Sequence, residues 1–226
     1  VSLLLHRTVA RAVIDQTRIG ADRLILAATH THSGPGHFFG MRAYNELGSS
    51  VAGFDREVLD FLSDRISRAV TEAASNLREA NAAWGQQPIW TATRNRSLAA
   101  FERNPNEWTS RFPKPVILPP LDPVEGRVDS TFTMLRVDLK DSRTGEYRPA
   151  GALSVFAIHG TGNPMANDLL DGDVQAIVER RLELHINARN GVTPSFHPSA
   201  THLVMNGAEG DVKPNLTWSS RCQVPW

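Results

Sequence analysis

Ala152-Leu153-Ser154-Val155-Phe156-Ala157-Ile158-His159-Gly160-Thr161-Gly162 decides the fold. A near-continuous apolar run of strand length that ends on a histidine and two glycines reads as a buried strand delivering a polar side chain to a sheet rim. Working backwards, Thr131 to Leu139 alternates as a strand and a turn follows at Asp141 to Glu146, so the two strands form a hairpin. Working forwards, a helix is expected from about Val174 to Ile186 and a strand from Thr201 to Met205, which runs into Asn206-Gly207-Ala208-Glu209-Gly210-Asp211. Towards the N-terminus, helical periods cover Val1 to Ile19 and Asp55 to Leu77, and Arg23 to Thr29 and Ile89 to Thr93 read as further strands. The proline-rich stretch Phe112 to Pro123 reads as an ordered excursion or surface loop. The expected class is α/β, a mixed sheet with flanking helices, with polar residues at the C-terminal ends of three strands, where open α/β sheets place ligands.

Composition narrows the function. The chain has 226 residues, 41% hydrophobic and 21% charged, with 24 basic against 24 acidic residues. Zero net charge excludes bulk electrostatic adhesion to nucleic acid or an anionic membrane, and no apolar stretch approaches the roughly 20 residues of a bilayer-spanning helix. The single Cys222 can form neither an internal disulfide nor a thiolate cluster, so any metal must be held by His, carboxylate or Tyr. The chain starts without Met, inside an apolar periodic run, and stops at Pro225-Trp226, which reads as a piece of a longer protein.

Thr29-His30-Thr31-His32-Ser33-Gly34-Pro35-Gly36 is the strongest local signal. Two histidines separated by one residue on an extended backbone point to the same side, about 7 Å apart at the backbone. Both can reach one metal, or one can bind while the other handles a proton; the structural alternative is a pair of histidines bonded to nearby backbone. Neutral imidazole suits zinc, which lowers the pKa of a bound water towards about 7. His159 adds a third imidazole from a second strand end. In Gly207 to Asn215 the alternatives are a tight loop whose Asp211 caps backbone amides and a loop carrying Asp211 or Lys213 to a substrate.

Four ordered motifs resemble the neutral/alkaline, non-lysosomal ceramidase family: Thr29-His30-Thr31-His32-Ser33-Gly34-Pro35; Asn95-Arg96-Ser97 with Asn104-Pro105; Phe156-Ala157-Ile158-His159; and Gly210-Asp211-Val212-Lys213-Pro214-Asn215. The resemblance covers essentially the whole chain and implies that residues 1–226 are part of a single ceramidase-like catalytic domain. It implies zinc on His30 and His159, a catalytic His32, and Arg96 holding substrate or its developing charge. Two more family zinc ligands, a Glu and a Tyr, are expected beyond Trp226. The implied reaction cleaves the amide of ceramide (N-acylsphingosine) to sphingosine and fatty acid, in a secreted, periplasmic or cell-surface protein. One departure stands out: the family pattern Gly-Asp-x-Ser-Pro carries an essential serine where this chain has Lys213. That substitution keeps two alternatives open, a zinc hydrolase of another amide or ester, and a noncatalytic lipid-binding relative.

Overall fold

In the computed structural model, residues 2–47, 52–104, 127–193 and 199–216 are described. The expected proline-rich excursion at 112–123 and Cys222 lie outside them. The chain divides into two compact units, Val1–Ala28 with Gly34–Glu79, and Thr29–Ser33 with Ala80–Trp226.

The first unit is helical. Ser2 caps α1 (Leu3–Thr17), its Oγ accepting from the amides of Leu4 and Leu5, and Arg18 ends the helix in the left-handed region at φ 59°. A short helix, α2, spans Arg42–Leu47. Asp55 caps α3 (Arg56–Ser75) through the Val58 amide. Leu5, Val9 and Val13 recur at helical spacing and close on Leu59, with Leu62, Ile66 and Val70 packed around them. The strand expected at Arg23 to Thr29 is absent. Ala21–Arg23 forms a 3-10 turn, and Leu24 and Leu26 pack onto the α1–α3 cluster while Ile25 is exposed. Alternation there serves one-sided packing on helices, without a partner strand among the described residues.

The second unit is built on a four-stranded mixed sheet in the order β1-β3-β4-β5, comprising β1 (Ala80–Pro88), β3 (Thr131–Lys140), β4 (Tyr147–Phe156) and β5 (Thr201–Asn206). β1, β3 and β4 run antiparallel in turn, and β4 pairs parallel with β5. The expected hairpin is present, its turn fixed by Asp141 accepting from the amides of Arg143 and Thr144. β4 is less enclosed than expected: Ala152, Ser154 and Phe156 are buried, while Leu153 and Val155 are partly exposed. The parallel partner is reached through α5 (Asp173–Arg189), which packs on β5 and β4. Glu179 and Glu183, one turn apart on α5, accept the amides of Val204 and His202. These carboxylates satisfy donors that a sheet edge otherwise leaves open.

A two-stranded ribbon pairs β2 (Thr93–Asn95) with β6 (Val212–Pro214), followed after β2 by a single helical turn, α4 (Leu98–Phe101). The strand expected at Ile89 to Thr93 therefore falls between two strands. The first ladder ends at Pro88, which lacks an amide to donate, and the second begins at Thr93.

Candidate metal centre at the strand ends

β4 and β5 end in register, Phe156 opposite Asn206, and both chains then leave the sheet on the same side. Thr29–Ser33 lies beside the exit of β4 through a parallel bridge of Thr31 to Gly160 and an antiparallel bridge of Ser33 to Asp171. Asn206 clamps the assembly. Its Nδ2 donates to the carbonyls of Thr29 (2.8 Å) and Ile158 (2.9 Å), and its Oδ1 accepts the Ile158 amide at 3.0 Å. Gln175 of α5 donates to the same Ile158 carbonyl at 2.7 Å. The approach is tight enough that a Cβ on Gly160 would overlap the His30 carbonyl, so only glycine fits there.

The clamped residues are the ones that precede His30 and His159. Their rings meet with that of His32, Nε2 to Nε2 distances being 3.1 Å (His30–His159), 3.2 Å (His30–His32) and 3.0 Å (His32–His159). The backbone route differs from the extended one expected, because His30 sits in the left-handed region at φ 65°. Such a conformation in a residue with a Cβ costs on the order of 1–3 kcal/mol and persists only where surroundings enforce it. Here the Asn206 clamp and the Gly160 contact enforce it.

Three imidazole nitrogens around one point suit a cation better than one another. Each Nε2 has a single in-plane lone pair or a single proton, so three of them cannot all be satisfied mutually. Nitrogen ligands at about 2.0–2.1 Å around a tetrahedral zinc stand about 3.3–3.4 Å apart, within a few tenths of an ångström of the observed triangle. Three histidines can thus hold a metal ion here, with His159 buried and His30 and His32 exposed.

The loop after β5 completes the centre. It stays beside β4 through Gly207 N–H to the Phe156 carbonyl (3.0 Å) and folds back so that the His159 amide donates to Val212 (3.1 Å). This brings Glu209 behind the rings: Oε1 lies 3.2 Å from Nδ1 of His30 and Oε2 lies 3.0 Å from Nδ1 of His159. The Nδ1 of His32 has no such partner among the described residues. Partial desolvation first, then the rings of His159 and His30 and the Arg96 guanidinium, hold His32 below the ordinary imidazole range, against a weaker opposite pull from Asp173.

Arg96 arrives from the end of β2. Its Nε and Nη2 donate to the Gly210 carbonyl at 3.2 and 2.8 Å, and Nη2 lies 3.2–3.3 Å from both nitrogens of His159, which places it against that ring. Asp211 accepts from the Asn95 side chain at 2.8 Å and so braces the ribbon. Lys213 faces Arg94 across the ribbon, on the side opposite buried Val212 and Pro214. Neither of these two cations has a side-chain partner among the described residues. The structure therefore brings together His30, His32, His159 and Arg96. Glu209 and Asn206 were not singled out in the sequence; an amide closing a rim-bound strand and a carboxylate in the turn after it were the available signals.

Residues 4–224 match the family described as neutral/alkaline non-lysosomal ceramidase, N-terminal. The chain belongs to that family. It is 28% identical over 194 residues to neutral ceramidase A of Dictyostelium discoideum, covering 86% of this chain and 24% of that one. It is also 28% identical over 195 residues to the neutral ceramidase of Pseudomonas aeruginosa, covering 86% and 25%. The crystal structure of the Pseudomonas aeruginosa neutral ceramidase superposes with a TM-score of 0.71 at 25% identity, over 97% of this chain and 30% of that one. The chain thus spans about a quarter of the length of the curated relatives it matches. The mixed α/β architecture is that of part of the neutral ceramidase fold.

Proposed function

We propose that this chain carries part of the catalytic centre of a zinc-dependent hydrolase that cleaves the amide of ceramide or a ceramide-like lipid to sphingosine and fatty acid. The observation that carries the reading is the convergence of three Nε2 atoms within 3.0–3.2 Å, on residues that the family's motifs bring together. His30 and His159 are the metal ligands, since both are backed by Glu209, and His32, without that carboxylate, is left to move a proton. When bound, zinc supplies Lewis acidity that activates water and polarises the scissile carbonyl. His32 accepts the proton of the attacking water at Nε2 and delivers it to the departing amide nitrogen as the C–N bond breaks. Arg96, fixed by the Gly210 carbonyl, directs its guanidinium at the carbonyl oxygen where charge develops.

Residues 1–226 form, on this reading, part of one ceramidase-like catalytic domain, supported by a family match that runs from 4 to 224. Placement of the protein in a secreted, periplasmic or cell-surface setting rests on the same resemblance. The test is metal analysis of the full-length protein with ceramide turnover before chelation, after chelation and after zinc is returned. About one zinc per chain and zinc-restored turnover are expected; active protein without zinc would remove the mechanism.

A second reading is favoured by one observation. Lys213 stands where the family pattern has serine, and lies opposite Arg94 with neither cation paired among the described residues. Two unpaired cations directly opposite one another repel and favour an anionic group between them, which neutral ceramide lacks. The same centre then hydrolyses another amide or an ester with an acidic substituent, and a panel of neutral and acidic amides and esters separates the two.

A further inference from the structure

The geometry points to Glu209 as the positioning residue of the metal centre: one carboxylate that sets the tautomer of two ligand histidines at once. The inference rests on the proposal that His30 and His159 bind metal through Nε2, and adds what makes those nitrogens available. A carboxylate only accepts hydrogen bonds. With Oε1 at 3.2 Å from Nδ1 of His30 and Oε2 at 3.0 Å from Nδ1 of His159, both rings carry their proton on Nδ1. A neutral ring protonated on Nδ1 has its lone pair on Nε2, and the two Nε2 atoms lie 3.1 Å apart at the cluster. Carboxylate backing of a ligating histidine fixes ring orientation and raises its basicity, and its loss typically costs about 10- to 100-fold in metal affinity.

The bridging arrangement is sharper than two separate pairs. Both oxygens of one side chain are committed, and Glu209 is itself held, because its carbonyl accepts the Val212 amide at 2.9 Å and lies 3.2 Å from His159 Nδ1. The side chain is largely shielded, with 16% of its surface exposed, so water is a poor replacement. His32 is excluded from this control, which separates the two rings held in ligating form from the one free to exchange its proton.

Glu209→Gln tests the point, being nearly isosteric but offering one acceptor and one donor. The amide oxygen serves one ring. Its NH2 faces the other; at His30, whose Nδ1 has no second acceptor among the described residues, this requires a lone pair on Nδ1, which moves the proton to Nε2 and removes that ring from the ligand set, whereas His159 keeps the Glu209 carbonyl as an acceptor. Expected in the full-length protein is a zinc Kd raised about 10- to 100-fold by chelator competition. In the metal-free protein, imidazole 15N shifts should show both rings protonated at Nδ1 in the wild type and one switched in the variant. Glu209→Ala provides the second arm: it removes the side-chain acceptor without imposing a wrong tautomer, and because the Glu209 carbonyl still faces His159 Nδ1, mixed tautomers are expected at His30 together with weaker zinc binding. Zinc affinity within about twofold of wild type with unchanged tautomers, in either folded variant, overturns the assignment. Failure of the hydrolase reading looks different, since ceramide would then go uncleaved while the tautomer switch still appeared.

Discussion

Asn206→Asp removes one donor from the middle of the metal centre and changes almost nothing in shape. The native Nδ2 donates to the Thr29 carbonyl at 2.8 Å and to the Ile158 carbonyl at 2.9 Å. In the variant a carboxylate oxygen faces both carbonyls, while the other oxygen still accepts the Ile158 amide. The two losses are unequal: Ile158 keeps the bond from Gln175 at 2.7 Å, but the Thr29 carbonyl loses this donor. Two lost bonds at about 0.5–1.5 kcal/mol each, plus an under-satisfied acceptor at about 1–3 kcal/mol, give a destabilisation of about 2–6 kcal/mol. The damage should also reach the metal. Thr29 precedes His30, whose left-handed backbone at φ 65° is held by this clamp, so a freed Thr29 lets His30 relax away from the triangle. Urea unfolding should show a lower midpoint at unchanged slope, and chelator competition weaker zinc binding. A stability change below about 1 kcal/mol together with native zinc affinity would refute the clamp as the element that poises His30.

Three other outcomes follow from the same geometry. His32→Ala should keep most of the zinc and lose about 10²- to 10⁴-fold in turnover, the range for general acid-base groups; zinc lost in step with activity would instead make His32 a ligand. Lys213→Ser should shift preference from acidic towards neutral substrates while the zinc content stays constant. Clear ceramide turnover by the variant alone, with no substrate turned over by the natural protein, would show that a serine hydroxyl is indispensable. His202 provides a pH signature: it is 2% exposed, bonded to Ser154 at 2.8 Å, and held by burial below the ordinary imidazole value of 6.5, despite nearby Glu183 and backbone contacts pulling the other way. Its folded-state pKa is thus below its unfolded one, so its contribution is complete above about pH 6.5 and declines as the pH falls, by at most about 1.4 kcal/mol per pH unit. His202→Gln should flatten that acid-side slope between pH 7.5 and 5.5 in urea unfolding, and identical slopes would exclude His202 as its source.

Legibility in the sequence followed the range of the interactions. α1 and α3 could be read because Leu5, Val9 and Val13, or Leu59, Leu62 and Ile66, repeat at spacings that only a helix turns to one side. The hairpin was legible because a local turn joins two apolar strands. β1 was not, since every residue from Ala80 to Pro88 is exposed and its strand character comes from pairing with β3 some fifty residues away. Arg23 to Thr29 misled for the converse reason, its apolar residues matching a strand but packing on helices. His30, His32 and His159 stood out as polar residues ending apolar runs. Glu209 and Asn206 did not, because their roles exist only when the turn after β5 meets segments as far as 177 residues away in sequence.

The second unit holds its centre with polar contacts as much as with apolar ones. Its most completely buried side chains include His202, Gln175, Asn187, Thr93 and Ser154, beside a modest apolar set such as Phe156, Val204 and Val212. Several of these polar groups fix chain segments directly: Gln175 holds Ile158, Asn187 accepts the Ala200 amide and the Ser199 hydroxyl, and Ser154 bonds His202. Apolar packing tolerates small slides, whereas a buried hydrogen bond is costly to break and specifies both partners and direction. Three imidazoles must converge to within a few tenths of an ångström, and one of them leaves the backbone in a strained conformation. Directional contacts are the means of meeting that tolerance. The centre should accordingly be more sensitive to isosteric exchanges that reverse a donor, at Asn206, Glu209 or Gln175, than to losses of volume in the surrounding apolar side chains.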